Sequence, residues 1–157
     1  MNFKRTQWLF PIAVVLHNGE EAFTMPGWAA RQGVHLPVDP SAAKIRAVLL
    51  VLAVAAFAVT YLSARNGPKS IWSYLLFGSI VTMLANVFVP HVPATLIYRA
   101  YAPGLITAVL VNLPVMTLLS LRAVRDGWVS GWKAAAFGAI VPVVIAGLIV
   151  GLFSCVR

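Results

Sequence analysis

The chemically active side chains of this chain are concentrated in one short run near its start. His17, Glu20 and Glu21 interrupt an apolar stretch, and the two glutamates are half of the four acidic residues in the sequence. At about 100° per helical residue, both carboxylates lie within roughly 60° of His17 on one helix face. Two adjacent carboxylates at low dielectric do not readily both ionise, so one should hold a proton or share a cation. The run therefore predicts acid–base or metal chemistry.

The shared cation is either protonated His17 or a metal ion. His and Glu three or four residues apart on a helix can ligate Zn, Fe or Mn, but one such helix supplies at most half a site. His91 is the second contributor that the sequence offers, and Tyr101 is a candidate proton donor. The metal ligands predicted from this pattern are His17, Glu20, Glu21 and His91, and the residues expected to line the site are Asn86, Thr95, Thr107 and Asn112.

The elements that position these residues are predicted from composition to be membrane helices. Of 157 residues, 61% are hydrophobic and only 10% are charged, and the mean hydropathy is +0.88, well beyond a soluble globular composition. The net charge of +8 arises because acids are scarce, and the basic residues are scattered between apolar runs. This is a membrane-flank pattern and does not favour nucleic-acid binding. The single cysteine excludes an internal disulfide.

Five apolar segments are long enough to cross a bilayer as helices. The sequence therefore predicts an all-α bundle with five transmembrane helices in one domain, joined by polar or Pro/Gly-bearing segments at Met25–Lys44, Arg65–Ser70, Pro90–Pro93 and Arg122–Ser130. The predicted spans are 7–24, 45–64, 71–89, 95–121 (starting at Thr95 or at Pro103) and 132–153.

Connectivity predicts that the polar residues converge. The first and third helices run in the same direction, so the ends that carry His17 to Glu21 and Asn86 to His91 lie at the same face as the start of the fourth helix. Tyr101, Ala108 and Asn112 are predicted to share one stripe of that helix and to face the same cavity.

The basic residues near helix ends favour the cytoplasmic membrane with the N-terminus inside and the C-terminus outside. In that orientation the site lies near the outer face, and Trp8, Trp72, Trp128 and Trp132 form an inner aromatic belt. Lys4 and Arg5 before an apolar run also resemble a secretory signal, with a cleavage region at Trp28–Ala30 as the alternative.

At these residues the chain resembles the HXXEE domain family of small bacterial membrane proteins. His17, Glu20 and Glu21 match the motif that names the family. A second signature of that family is met by His91, Thr95, Tyr101, Pro103, Gly104 and Thr107. One departure is that the family pattern has Asn directly before the second histidine, where this chain has Pro90 and its nearest asparagine is Asn86. The resemblance implies the same five-span architecture and the same site, but no established reaction.

The function expected from these observations is an intramembrane enzyme acting on a lipid-like or other apolar small molecule. Glu20 or Glu21 would be the general acid or base and Tyr101 an oxygen-polarising donor, while His17 and His91 would be metal ligands or proton-relay partners. Zn or Fe is the metal that such a set would take. The alternatives are a proton- or cation-coupled transporter or exporter, and a scaffold in which the polar residues only join helices. Gly147 and Gly151 form either a homo-oligomer seam or a packing face within the monomer.

Overall fold

A computed structural model describes residues 2–32 and 41–155, and within these ranges the chain is helical, with no strand. Two wide turns of π-helical geometry, at Val87–His91 and Ala108–Asn112, lie between helices. The helices are α1 (Phe3–Thr6), α2 (Leu9–Gln32), α3 (Ala42–Asn66), α4 (Ile71–Asn86), α5 (Val92–Tyr98), α6 (Leu105–Thr107), α7 (Leu113–Arg125) and α8 (Gly131–Cys155). The all-α prediction is confirmed.

Four helical stretches are long and apolar enough to cross a membrane. They are Ala42–Asn66, Ile71–Tyr98, Leu105–Arg125 and Gly131–Ser154. The fifth long helix, α2, has 24 residues but includes Glu20, Glu21 and Arg31. Its lower apolarity is the direct consequence of carrying the polar run. α4 lies at the centre of the bundle against α3, α7 and α8, and α2 packs on α3.

Two predicted joints differ from the structure. The third apolar segment does not end at Val89, because the helix resumes after a break there and continues to Tyr98. Pro93 lies in the first turn of α5, where a missing N–H is tolerated. The turn into the fourth span is made instead by Arg99 and Gly104, both with positive φ, so that span begins at Leu105, near the later of the two predicted starts.

The first joint is also shorter than predicted, because α2 continues through Pro26 to Gln32. The rest of that joint up to Pro40 lies outside the described residues.

The bundle end opposite the site is closed by α1. The Phe3 and Trp128 rings pack with centroids 5.2 Å apart, and the Phe3 backbone N–H donates to Asp126 Oδ2 at 2.8 Å. Trp128 is only 6% exposed, so its assignment to a lipid-facing aromatic belt is wrong. Its ring is needed to cover the end of the hydrophobic core.

The predicted packing face in α8 is not used within the described part of the protomer. A Cβ on Gly147 or Gly151 would meet no atom within 4 Å. The close contact of α8 is made elsewhere, at Gly78 of α4, where an added Cβ would lie 2.6 Å from the side chain of Val141.

Candidate metal centre

Three side chains from two distant parts of the chain converge where the middle of α2 faces the wide turn after α4. Glu21 Oε1 lies 3.7 Å from His17 Nε2 and 3.6 Å from His91 Nε2. These three atoms all lie within 4.8 Å of one another. His17 and His91 are 1% and 2% exposed, and Glu21 is 9% exposed. The convergence predicted from connectivity is therefore found, with Glu21 rather than Glu20 facing the histidines.

The two separations between the carboxylate and the imidazoles are close to those between ligands of a tetrahedral metal. Ligands at about 2.0–2.2 Å from a tetrahedral Zn²⁺ lie roughly 3.4 Å apart, whereas neighbouring ligands of an octahedral ion lie about 3.0 Å apart. The separations of 3.6 and 3.7 Å are closer to the tetrahedral value. Two imidazoles and a carboxylate are a ligand set used by catalytic zinc, with a fourth position left open.

Both histidines are held in the tautomer that leaves Nε2 free to accept. His17 Nδ1 lies 3.0 Å from Thr107 Oγ1, and that hydroxyl donates its proton to the Gly104 carbonyl at 3.3 Å. His17 Nδ1 therefore donates to Thr107. His91 Nε2 lies 2.9 Å from Asn86 Nδ2, which can only donate, so the proton of this ring is on Nδ1. Ligating histidines are commonly oriented in this way by a partner on the other ring nitrogen.

Asn86 joins the two imidazoles. Its Nδ2 donates to His17 Nε2 at 3.0 Å and to His91 Nε2 at 2.9 Å. On a regular helix Asn86 and His91 would be about 140° apart. The wide turn, in which Val89 is extended with φ −144° and ψ 114°, brings them to the same point. A metal on both Nε2 atoms would take the place of this amide.

Glu20 faces a different set of partners. Its Oε1 accepts from the Tyr101 hydroxyl and from the Ile106 N–H at 3.2 Å, and its Oε2 accepts from the Thr107 N–H at 2.7 Å. These backbone donors are at the start of α6, where unpaired N–H groups favour an anion. Glu20 therefore ties α2 to the fourth span, and the structure does not bring it into the group of three ligand atoms.

Gly104 allows the site to close. A Cβ at this position would lie 2.7 Å from His91 Cε1, 2.8 Å from His17 Cε1 and 3.1 Å from Glu21 Cγ. Its φ of +82° is also one that side chains rarely adopt. In the sequence, Pro103 was one of two predicted starts of the fourth span, and Gly104 belonged to the second family signature. The contact with both imidazoles was not foreseen, because it depends on helices distant in sequence.

Comparison with known proteins identifies the family of this chain. Residues 8–119 match the family described as "Protein of unknown function with HXXEE motif". The chain belongs to the HXXEE family. It is similar to the uncharacterized protein YrkK of Bacillus subtilis (strain 168), with 29% identity over 149 residues that cover 92% of this chain and 91% of that protein. No solved structure matches the chain.

Most residues of the HXXEE motif contact a different part of the protein. His17 and Glu21, one helical turn apart, face His91, while Glu20 caps α6. Between them, Asn18 donates from Nδ2 to the Leu49 carbonyl of α3 at 2.8 Å. The spacing of the motif thus places the candidate ligands His17 and Glu21 on one side of α2. Glu20, on the other side, fastens α2 to the start of α6.

The remaining predicted site residues of this HXXEE protein lie outside the ligand group. Thr95 donates to the His91 carbonyl at 2.9 Å and supports the turn. The predicted stripe of Tyr101, Ala108 and Asn112 is wrong, because Tyr101 precedes the helix and a wide turn alters the register. Asn112 is fully buried, and its amide atoms have no hydrogen-bond partner among the described residues.

Proposed function

We propose that this protein is a metal-dependent enzyme of the membrane that acts on a lipid-like or other apolar small molecule. The observation that carries the proposal is the convergence of His17 Nε2, His91 Nε2 and Glu21 Oε1 within 4.8 Å of one another, with the carboxylate oxygen 3.7 and 3.6 Å from the two nitrogens. The His17 imidazole is already oriented through its other nitrogen by Thr107. A scaffold needs polar contacts between helices but does not need two histidine lone pairs directed at one point.

The metal that this site would take is Zn²⁺, since the spacing favours a tetrahedral ion over the octahedral geometry common for Fe²⁺. His17, Glu21 and His91 would hold it. Bound there, Zn²⁺ would supply Lewis-acid chemistry at an oxygen of the substrate, as in metal-assisted hydrolysis or isomerisation.

Glu20 and Tyr101 would handle protons at the mouth of the site. The Tyr101 side chain is 38% exposed, and its hydroxyl donates to Glu20. Through this hydrogen bond the partly exposed Tyr101 connects the protein surface to Glu20, which precedes the candidate ligand Glu21 in the sequence. In the proposed mechanism Tyr101 passes its hydroxyl proton to Glu20 as it takes one from an oxygen of the substrate, and the reverse transfer returns a proton to that oxygen.

The membrane placement proposed with this function has α2 as a fifth span. The basic residues at helix ends favour the cytoplasmic membrane, with the N-terminus inside and the site near the outer face. Asn18 supports insertion of α2 because its amide is satisfied by the Leu49 carbonyl of α3. The buried ionisable groups then face the protein interior, which is where membrane proteins place them. A homo-oligomer through the exposed face of Gly147 and Gly151 is compatible with this placement.

The experiment that tests the proposal uses zinc-loaded protein in liposomes of total bacterial lipid. Mass spectrometry of the extracted lipids should reveal species that change with time in the presence of wild-type protein. Glu21→Gln and Tyr101→Phe should abolish the change. Solute flux that requires a proton or ion gradient, with unaltered lipids, would contradict the enzyme and favour the transporter.

A further inference from the structure

An apolar groove lies between α4 and α8 and reaches the candidate metal centre through Asn86. Thr82, Asn86 and Val89 line one wall, and Pro142, Ala146 and Ile149 line the other. Both walls belong to stretches long and apolar enough to cross a membrane. The residues on each wall recur at helical spacing, so each helix presents one face to the groove.

The groove results from how α4 and α8 separate. At Gly78 the two helices touch closely, because an added Cβ there would lie 2.6 Å from Val141. Beyond this contact, Pro142 interrupts the hydrogen bonding of α8. On the other side, the backbone of the wide turn after α4 becomes extended at Val89. The Gly78–Val141 contact therefore closes the groove at one end, and Asn86 and Val89 lie toward the other.

We propose that this groove holds the hydrocarbon chain of the substrate, with its polar end at Asn86. The inference rests on the proposed function and narrows its substrate class to molecules with an unbranched alkyl chain. The cavity volume is about 200 Å³, which is below the roughly 300–1,000 Å³ of sites that enclose drug-sized ligands. Its walls are apolar apart from Thr82 and Asn86, as suits a segment of a single hydrocarbon chain.

The polarity of the groove sets the direction of the chain. Thr82 uses its hydroxyl to donate to the Gly78 carbonyl at 2.9 Å, so the closed end offers no free donor from that side chain. Asn86, at the other end, donates to both His17 and His91. A chain that lies with its methyl end toward Gly78 places its polar end one side chain away from the candidate ligands.

The test uses hexadecanoic acid that carries a diazirine on its chain, photolysed with the purified full-length protein. Peptide mass spectrometry should locate the label on the α4 and α8 residues that line the groove. Ala146→Phe fills the groove and should reduce this labelling about tenfold, which corresponds to about 1.4 kcal/mol of binding free energy. Val144→Phe, on another face of α8 and 60% exposed, is the matched control and should label as the wild type does.

The result that overturns the inference is labelling spread over the lipid-facing helices that Ala146→Phe does not alter. Protection by an excess of a sterol equal to that by unlabelled hexadecanoic acid would also contradict it. His17→Ala separates the two proposals. Because the groove contains no metal ligand, this variant should lose zinc and keep the labelling of the groove. Labelling that persists while the wild type binds no zinc would end the proposed metal enzyme and leave the groove assignment standing.

Discussion

The imidazoles of His17 and His91 meet edge to face, with ring centroids 4.9 Å apart and planes at 84°. One asparagine amide donates to the Nε2 atom of each ring. Two imidazoles whose lone pairs point to one position would form a pre-organised half of the proposed metal site, and Glu21 Oε1 would add the third ligand atom.

Gly104→Ala should disrupt the site and destabilise the fold. The new methyl group would overlap both His17 and His91 at a backbone with φ +82°. Left-handed strain and overpacking together should lower the free energy of unfolding by about 2–5 kcal/mol. Thermal or denaturant unfolding in detergent, together with zinc content per folded chain, measures both effects.

Gly127→Ala is the matched control for that substitution. Gly127 has φ +72°, but a Cβ there meets no atom within 4 Å. Only the backbone strain of about 1–2 kcal/mol should appear, and zinc binding should be unchanged. Equal loss of zinc in both variants would show that Gly104 has no special relationship to the histidines.

Asn86→Ala should increase the stabilisation that zinc gives to the protein. The Asn86 amide donates hydrogen bonds to the Nε2 atoms of His17 and His91. Its removal should therefore destabilise the metal-free form by roughly 1–3 kcal/mol. The metal-bound form has already displaced that amide and should change less, which makes the rise in Tm on adding zinc larger. Asn18→Ala also removes a buried hydrogen bond, to Leu49, but should lower Tm equally with and without zinc. If adding zinc raised the Tm of Asn86→Ala less than that of wild type, the metal would not be competing with the Asn86 amide for the two Nε2 atoms.

The adjacent glutamates should separate into two roles. Glu20→Gln should keep zinc but speed amide hydrogen exchange at Ile106 and Thr107, whose N–H groups Glu20 accepts. The expected factor is about 10- to 100-fold, because a hydrogen bond to a charged group contributes about 1.5–3 kcal/mol. Glu21→Gln should lose zinc and leave this exchange unchanged. The interpretation fails if the two variants behave alike in both measurements.

Asp126 should make the end of the bundle opposite the site sensitive to acid. The Phe3 N–H, and then the nearby Arg125 guanidinium, hold the pKa of the Asp126 carboxyl below its ordinary value of 3.8. Because folding lowers this pKa, the ionised carboxyl stabilises the folded protein at pH values above its ordinary pKa. The stabilisation is lost as the pH falls through the lower pKa of the folded state. Thermal unfolding of Asp126→Asn should therefore fall less steeply than that of wild type below about pH 4. Parallel curves would contradict this role for Asp126.

Much of the fold was accessible from the sequence because the bilayer dictates helix length and apolarity. The polar run at His17, Glu20 and Glu21 and its meeting with His91 followed from the direction of successive helices. The roles of the two glutamates could not be separated, because their directions on α2 depend on the neighbouring helices. Whether Glu20 meets α6 and Glu21 meets the histidines is decided by packing.

The contribution of Asn86 was also beyond the sequence. A regular helix would direct Asn86 away from His91, and only the distorted turn around Val89 brings them together. Prolines mark where a helix ends or bends, but Pro90 does not reveal that the helix resumes and continues to Tyr98. Gly104 was visible as a turn residue, and its contact with both imidazoles required the positions of α2 and α4.

The most direct test of the central claim is the zinc content of purified, tag-free protein after incubation with zinc and removal of the excess. Elemental mass spectrometry should find near-stoichiometric zinc in the wild type and in Asn18→Ala, which loses one hydrogen bond outside the ligand group. His17→Ala and Glu21→Gln should bind almost none while remaining helical by circular dichroism. Folded wild-type protein without zinc, or equal zinc in all four proteins, would contradict a metal centre at His17, Glu21 and His91.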